Sequence, residues 1–167
     1  MQPVIIKEFI PEDRADDKDA LLPAFLEIWN SSENLKFLSL TLKPFEPETV
    51  NYWLENHKEQ SGRYFCAIDS HEKILGILVI KVNSVTGFEI FGVGVFPGLK
   101  RQGIGRELLN HAVDIAEELG FKDINAMVFA DNVAMLRLLL SLGFIPTSME
   151  HHKRSDGADT VHLKRYL

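Results

Sequence analysis

The stretch that most constrains the fold runs from Glu89 to Gly120, EIFGVGVFPGLKRQGIGRELLNHAVDIAEELG. A run rich in Val, Ile and Phe enters a turn that carries glycines and Lys100-Arg101, and the turn opens directly into an amphipathic helix. On that helix Ile104, Leu108, Ala112, Ile115, Ala116 and Leu119 fall at steps of three and four, while Arg106, Glu107, Asp114, Glu117 and Glu118 fill the other side. Gly120 ends it. The first turn of a helix leaves its amides without intrahelical acceptors, so a strand, a basic glycine loop and a helix N-terminus together can converge N–H groups on an anion.

The rest of the chain supplies a frame for this unit. Residues 4–9 read as a short edge strand whose extension Pro11 limits. From Asp19 the residues Leu22, Phe25, Leu26 and Trp29 have helical spacing, a pattern that tolerates Pro23 only in the first turn. Residues 35–45 are apolar without a period. Glu46-Pro47-Glu48 opens a helix with proline in the first turn and acids toward the positive end of the dipole. Val50, Trp53, Leu54 and His57 then share one side, and Gly62 closes the unit. Residues 63–68 and 73–82 form a hairpin through the turn DSHE, and residues 83–87 turn into the strand 88–95. After the long helix come a strand at 124–129 and an N-cap pair, Asp131-Asn132. The helix at 133–142 is apolar nearly all round, with Arg137 its lone charge, and is expected to be well buried; Gly143 caps it. Residues 145–153 and 160–166 frame RSDGAD, in which Asp-Gly marks a hairpin turn. With no repeat, linker or low-complexity tract, the order predicts one α/β domain over residues 1–167. Its mixed, mostly antiparallel central sheet is flanked by about four helices.

Composition narrows the class of partner. At 167 residues and 46% hydrophobic, the chain can bury a sizeable core. A net charge of −6 argues against nucleic acid. The single cysteine, Cys66, excludes an intrachain disulfide and a multi-cysteine metal site. Met1 is followed by no basic-then-apolar leader and no apolar run reaches membrane-spanning length, so a cytoplasmic domain without a membrane partner is expected.

Three anion-loop readings compete for the central turn. A dinucleotide fingerprint needs glycine at the first, third and sixth positions. Gly103 and Gly105 fit, but Leu108 follows where the third glycine belongs; Gly92 and Gly94 fit, but Pro97 fails. A Walker A loop fits Gly98 and Gly103, yet Ile104-Gly105 stands where Lys and Ser/Thr must be. The third reading is a glycine-rich connector with no ligand.

The segment Lys100-Arg101-Gln102-Gly103-Ile104-Gly105 resembles the Gln/Arg-x-x-Gly-x-Gly/Ala loop of GNAT-type N-acetyltransferases. Asn132 and Gly143-Phe144 are similar to that family's second motif at its spacing, and the likeness covers residues 64–144. It implies that the backbone of Lys100, Arg101, Gln102, Gly103, Ile104, Gly105 and Arg106 grips the pyrophosphate of acetyl-CoA. Asn132 belongs to the same cofactor site, and the backbone of Val93 and Val95 pairs with the pantetheine arm. Lys100 departs from the pattern: lysine keeps the charge but loses the guanidinium's bidentate fork, which implies weaker or differently tuned binding.

The resemblance also implies the chemistry, a direct attack of a neutral amine on a thioester. A base must take the amine's proton and backbone donors must meet the developing oxyanion. Glu89 is the candidate base; the alternative is a solvent-facing strand residue, since one residue of register reverses its direction. Where some N-terminal acetylating members carry glutamate this chain has Met127, and where many members carry a tyrosine acid it has Leu139. Tyr166, His151 and His152 are other proton donors that the last hairpin can carry, although adjacent histidines on a strand face opposite ways. No metal ligand set accompanies them. Cys66 reads as a buried structural thiol. Trp29, Phe37, Phe45, Tyr52 and Trp53 fall in the half that walls the acceptor cleft in the family, with residues 35–45 as the acceptor-side loop; Phe25 and Trp53 read as core. The expectation is an acetyl-CoA-dependent N-acetyltransferase without a metal, acting on an amine of a small molecule or peptide, and compatible with a homodimer. The alternatives are a catalytically weak CoA-binding module, a protein N-terminal or lysine acetyltransferase, and a nucleotide-binding domain.

Overall fold

The segment ILGILVIKVN alternates no polar residue until its end, and such a strand needs cover on both faces. It lies inside a seven-stranded sheet. A computed structural model of the chain describes residues 3–167. The elements are β1 (Ile5–Phe9), α1 (Ala15–Trp29), α2 (Leu35–Leu38), α3 (Pro47–Glu55), β2 (Gly62–Ile68), β3 (Ile74–Asn83), β4 (Gly87–Val95), α4 (Ile104–Glu118), β5 (Asp123–Phe129), α5 (Val133–Ser141), β6 (Ile145–Glu150) and β7 (Thr160–Tyr166). The sheet order is β1-β2-β3-β4-β5-β7-β6. Every neighbouring pair is antiparallel except β4 and β5, which run parallel because α4 crosses between them.

Two apolar cores follow from the two faces. Leu108, Leu109, Ala112 and Ala116 of α4 pack with Leu78, Ile80, Phe88 and Ile90 on one side. Leu21, Phe25, Ile28 and Trp29 of α1, with Val50 and Leu54 of α3, pack with Tyr64, Ile77 and Val79 on the other. The α/β class, the mixed and mostly antiparallel sheet, and the hairpin run into the central loop all match the sequence expectation.

Several elements differ from it. Five helices are present among the described residues, because the unperiodic segment contains the short α2. Helix α1 begins at Ala15, not Asp19, and carries Pro23 in its interior. Its first turn is anchored by the buried Asp17, whose Oδ2 accepts the Ile10 N–H at 2.9 Å. Pro23 and Asp19 are both exposed, so water can satisfy the carbonyl that the proline leaves without a donor. Helix α5 is not well buried: Leu139 alone is fully covered, while Val133 and Leu140 are half exposed. It covers the sheet with one face and borders a cavity with another. Strand β6 stops at Glu150, so His151 and His152 lie in a turn, both exposed, and not on alternating faces of a strand.

Candidate active site

The site begins with one extra residue in β4. Val79 pairs with Gly92 and Ile80 with Ile90, which leaves Phe91 opposite no partner, a β-bulge. Pairing of β4 with β5 is confined to Glu89 with Asn125 and Ile90 with Ala126. Beyond the bulge the two strands separate. The Phe96 N–H donates to the Leu75 carbonyl at 2.8 Å, so the polar backbone groups at this end of β4 alternate between β3 and the gap. By that alternation Val93 and Val95 turn their N–H and C=O groups to the gap. Asn34, buried, confirms the direction: its Nδ2 donates to the Val95 carbonyl and to the Ile28 carbonyl, each at 2.9 Å.

The glycines that alternate with those valines serve packing. A Cβ at Gly94 would stand 2.6 Å from Ile28 Cγ2 and 3.0 Å from the Trp29 ring, so α1 lies flush against the strand. The loop that follows has a different geometry. Leu99 closes a turn onto Phe96, Arg101 has φ 64°, and Gly103 has φ 83° at the N-cap of α4. An L side chain at that φ is strained, which explains the glycine. The first helical bond is Glu107 N–H to the Gly103 carbonyl at 3.0 Å. Ahead of it, the N–H groups of residues 101–106 donate to no acceptor among the described residues. Lys100 is tied by its Nζ to the Glu33 carbonyl at 3.1 Å, and Arg106 reaches Ser141 Oγ at 3.0 Å.

These groups open on a cavity of about 410 Å³. Val93, Val95, Lys100, Arg101, Gly103, Ile104, Gly105, Arg106 and Asn132 all line it; the exposed Gln102 does not. Asn132 is also the N-cap of α5, its Oδ1 accepting the Met135 N–H at 3.3 Å. Leu139 lines the wall, and no Tyr, His, Asp or Glu joins it.

A second cavity, about 400 Å³, lies on the α1–α3 face. It shares Phe37, Leu38, Ile90, Phe91 and Met127 with the first, so the two meet where β4 leaves β5. Glu89 lines this second cavity, and its carboxylate has no hydrogen-bond or ion-pair partner among the described residues. Its cross-strand neighbour Lys81 lies with Nζ 4.1 Å from the Phe91 ring centre. Tyr64 borders the same space, and burial pushes its phenol up to about 12. Phe25 and Trp53, read as core from the sequence, also face this cavity, while Tyr52 does not. Tyr166 and the His151-His152 pair line neither cavity. Cys66 is fully buried, and burial raises its thiol pKa well above the ordinary value.

Two site-shaping residues escaped the sequence reading. Asn34 stands in NSSEN, which reads only as a helix break. Arg154 stands in RSDGAD, which reads only as a turn, yet its side chain is 1% exposed. Its guanidinium donates to both Asp131 oxygens at 3.1 and 2.6 Å, to both Asp156 oxygens at 2.8 and 3.0 Å, and to the Lys36 carbonyl at 2.9 Å. The signal in the sequence was an arginine two residues from an aspartate in a turn, too common a pattern to stand out.

Comparison with known proteins agrees with this geometry. The model of the Acetyltransferase (GNAT) family matches residues 22–144. A [Ribosomal protein bS18]-alanine N-acetyltransferase of Escherichia coli K12 is 35% identical over 72 residues, which are 42% of this chain and 49% of that one. The mycothiol acetyltransferase of Renibacterium salmoninarum is 29% identical over 96 residues, 54% of this chain and 28% of its own length. The chain thus spans half or less of these relatives. The crystal structure of a phosphinothricin acetyltransferase from Sinorhizobium meliloti in complex with AcCoA superposes with a TM-score of 0.78 at 18% identity, covering 98% of this chain and 88% of that one. A family match over most of the chain, laid on a split sheet and a loop of unpartnered amides, makes this chain a member of the GNAT family of acetyltransferases.

Proposed function

We propose that the chain transfers an acetyl group from acetyl-CoA to a primary amine of a small molecule or peptide, by direct attack in a complex of both substrates. One observation carries the reading: a row of unpartnered amides opens on one cavity, which meets a second cavity that holds a free carboxylate. Acetyl-CoA, when bound, supplies a thioester already activated toward amines. The residues present fit it. The amides of residues 101–106 suit a pyrophosphate at the positive end of α4. At Gly105 an added Cβ would enter the cavity beside Leu138 and Val95, so glycine there keeps the backbone open to a ligand. The gap-facing N–H groups of Val93 and Val95 suit an extended polar chain and a carbonyl oxygen. Glu89 accepts the amine's proton, directly or through a water.

The name of the alanine N-acetyltransferase relative supports an amine acceptor, and a cytoplasmic enzyme suits a chain in which no described helix is long and apolar enough to cross a membrane. A second reading, a CoA-binding module with little turnover, is favoured by one feature: Leu139 stands in a wall without any acid to protonate a departing thiolate. A thiolate leaves as a moderately weak base, so catalysis without that acid is slower but not blocked. Turnover of Glu89→Gln decides between them. The substitution lowers kcat by about a hundredfold or more, with acetyl-CoA affinity by calorimetry unchanged. Unaltered turnover removes the base role. Failure of the unsubstituted chain to bind acetyl-CoA removes the whole reading.

A further inference from the structure

We infer that the second cavity binds a primary amine carried on a flat, uncharged aromatic body, an aralkylamine, and that Phe45 and Trp53 select it. This rests on the acetyltransferase reading for the fate of the amine, though not for its binding. The cavity wall is aromatic on several sides: Phe25, Trp29, Phe37, Phe45, Trp53 and Tyr64. Phe45 and Trp53 meet edge to face with ring centres 5.4 Å apart, and Phe25 stacks on Trp29 at 4.1 Å. Rings held in edge and face orientations offer a further ring both geometries it prefers. Phe45 and Trp53 are only partly buried, so they retain apolar surface for a ligand to cover.

Charge narrows the choice further. Among the described residues, Glu89 and Lys81 are the only Asp, Glu, Lys or Arg lining this cavity. They are cross-strand partners on β4 and β3, and the Lys81 ammonium rests against Phe91. The carboxylate is therefore placed for a single ammonium near the junction of the cavities, where the amine must react. A polyamine would crowd further ammonium groups beside Lys81 with one carboxylate to share among them. A peptide would bury successive backbone N–H and C=O groups against ring faces that pair with none of them. The wall does contain two buried polar atoms without a partner, His57 Nε2 and Thr160 Oγ1. His57 Nδ1 faces the Gly62 carbonyl at 2.9 Å, and both unpartnered atoms are sealed from the open space of the cavity, so neither offers a ligand a partner.

The experiment has two readouts on the whole chain. Direct titration, by calorimetry and by the emission of Trp29 and Trp53, uses phenethylamine and tryptamine against spermidine, phosphinothricin and an alanyl peptide. The same amines are offered with acetyl-CoA while free thiol is measured. The aralkylamines bind at least about tenfold more tightly than the others, and Trp53→Ala and Phe45→Ala each weaken them by about tenfold. Trp53→Phe keeps most of the affinity, which separates a lost contact from a lost fold. Equal or tighter binding of spermidine, phosphinothricin or the peptide overturns the inference, whichever amine turns over. Absence of thiol release with every amine, while acetyl-CoA binds, overturns the acetyltransferase reading alone.

Discussion

At Gly105 an added methyl group would meet Leu138 at 3.8 Å and Val95 at 4.0 Å, both ordinary contacts, and the residue lies in the first turn of α4. The fold would accept alanine there, and helix propensity would favour it by a few tenths to about 1 kcal/mol. Glycine at such a position answers to something outside the fold. Gly105→Ala therefore leaves the melting temperature unchanged or slightly raised and, as the Gly/Ala choice of the family loop implies, keeps acetyl-CoA binding. Gly105→Leu, with a side chain long enough to fill the space between Leu138 and Val95, weakens it by about tenfold or more; calorimetry and a thermal melt on the same preparations test both halves. Gly94 is the opposite case. Its missing side chain answers to Ile28 and Trp29, and neighbouring glycines in one short run thus have unrelated causes.

Among the elements, the connection between β6 and β7 does the least regular work and ties the most together. Arg154 joins it to Asp131 at the entrance of α5 and to the Lys36 carbonyl in α2, while Ser155 N–H reaches the Leu40 carbonyl at 2.8 Å. One buried guanidinium thus links the edge of the first cavity to the roof of the second. Its hydrogen bonds hold both carboxylates below their ordinary range, Asp156 at about 2. A depressed folded pKa means stability fully present above the unfolded value near 4 and lost as the pH falls through the folded one. The chain accordingly loses stability between about pH 4 and pH 2 more steeply than an Asp131→Asn, Asp156→Asn double variant. At neutral pH that variant, with its guanidinium buried and unpaired, melts about 5 °C lower or more; acid and thermal unfolding followed by circular dichroism check both. The contrast with α4 explains what a sequence can reveal. The stripe from Ile104 to Leu119 and the glycines before it are local, periodic signals, so the glycine loop and its helix were legible. The latch joins Lys36, Asp131 and Arg154 across 118 residues of chain, α5 borders a cavity with one face and solvent with another, and Phe91 owes its bulge to pairing with β3. Those are tertiary facts with no local signature.

For the molecule as a whole, two cavities that meet at one gap have room for two ligands at once. On the proposed reading each substrate has its own cavity, and neither needs to leave before the other arrives. Cys66, the chain's only thiol, is fully buried with its pKa raised, and lines neither cavity, so it cannot carry an acetyl group between them. Initial-velocity plots with both substrates varied therefore intersect, and Cys66→Ala keeps its turnover; parallel lines would point to a covalent acetyl carrier and overturn direct attack.

The bulge at Phe91 has a hereditary side. Phe88 and Ile90 before it, and Val93 and Val95 after it, all belong to the α4 core, while Glu89 faces the α1–α3 cavity and Gly92 and Gly94 face α1. Counted without Phe91, the strand alternates regularly from end to end. One inserted codon could thus bend the strand away from β5 without turning any other β4 side chain to the wrong side. A passage through the sheet, with both cores left intact, lies a single mutational step from an ordinary closed one.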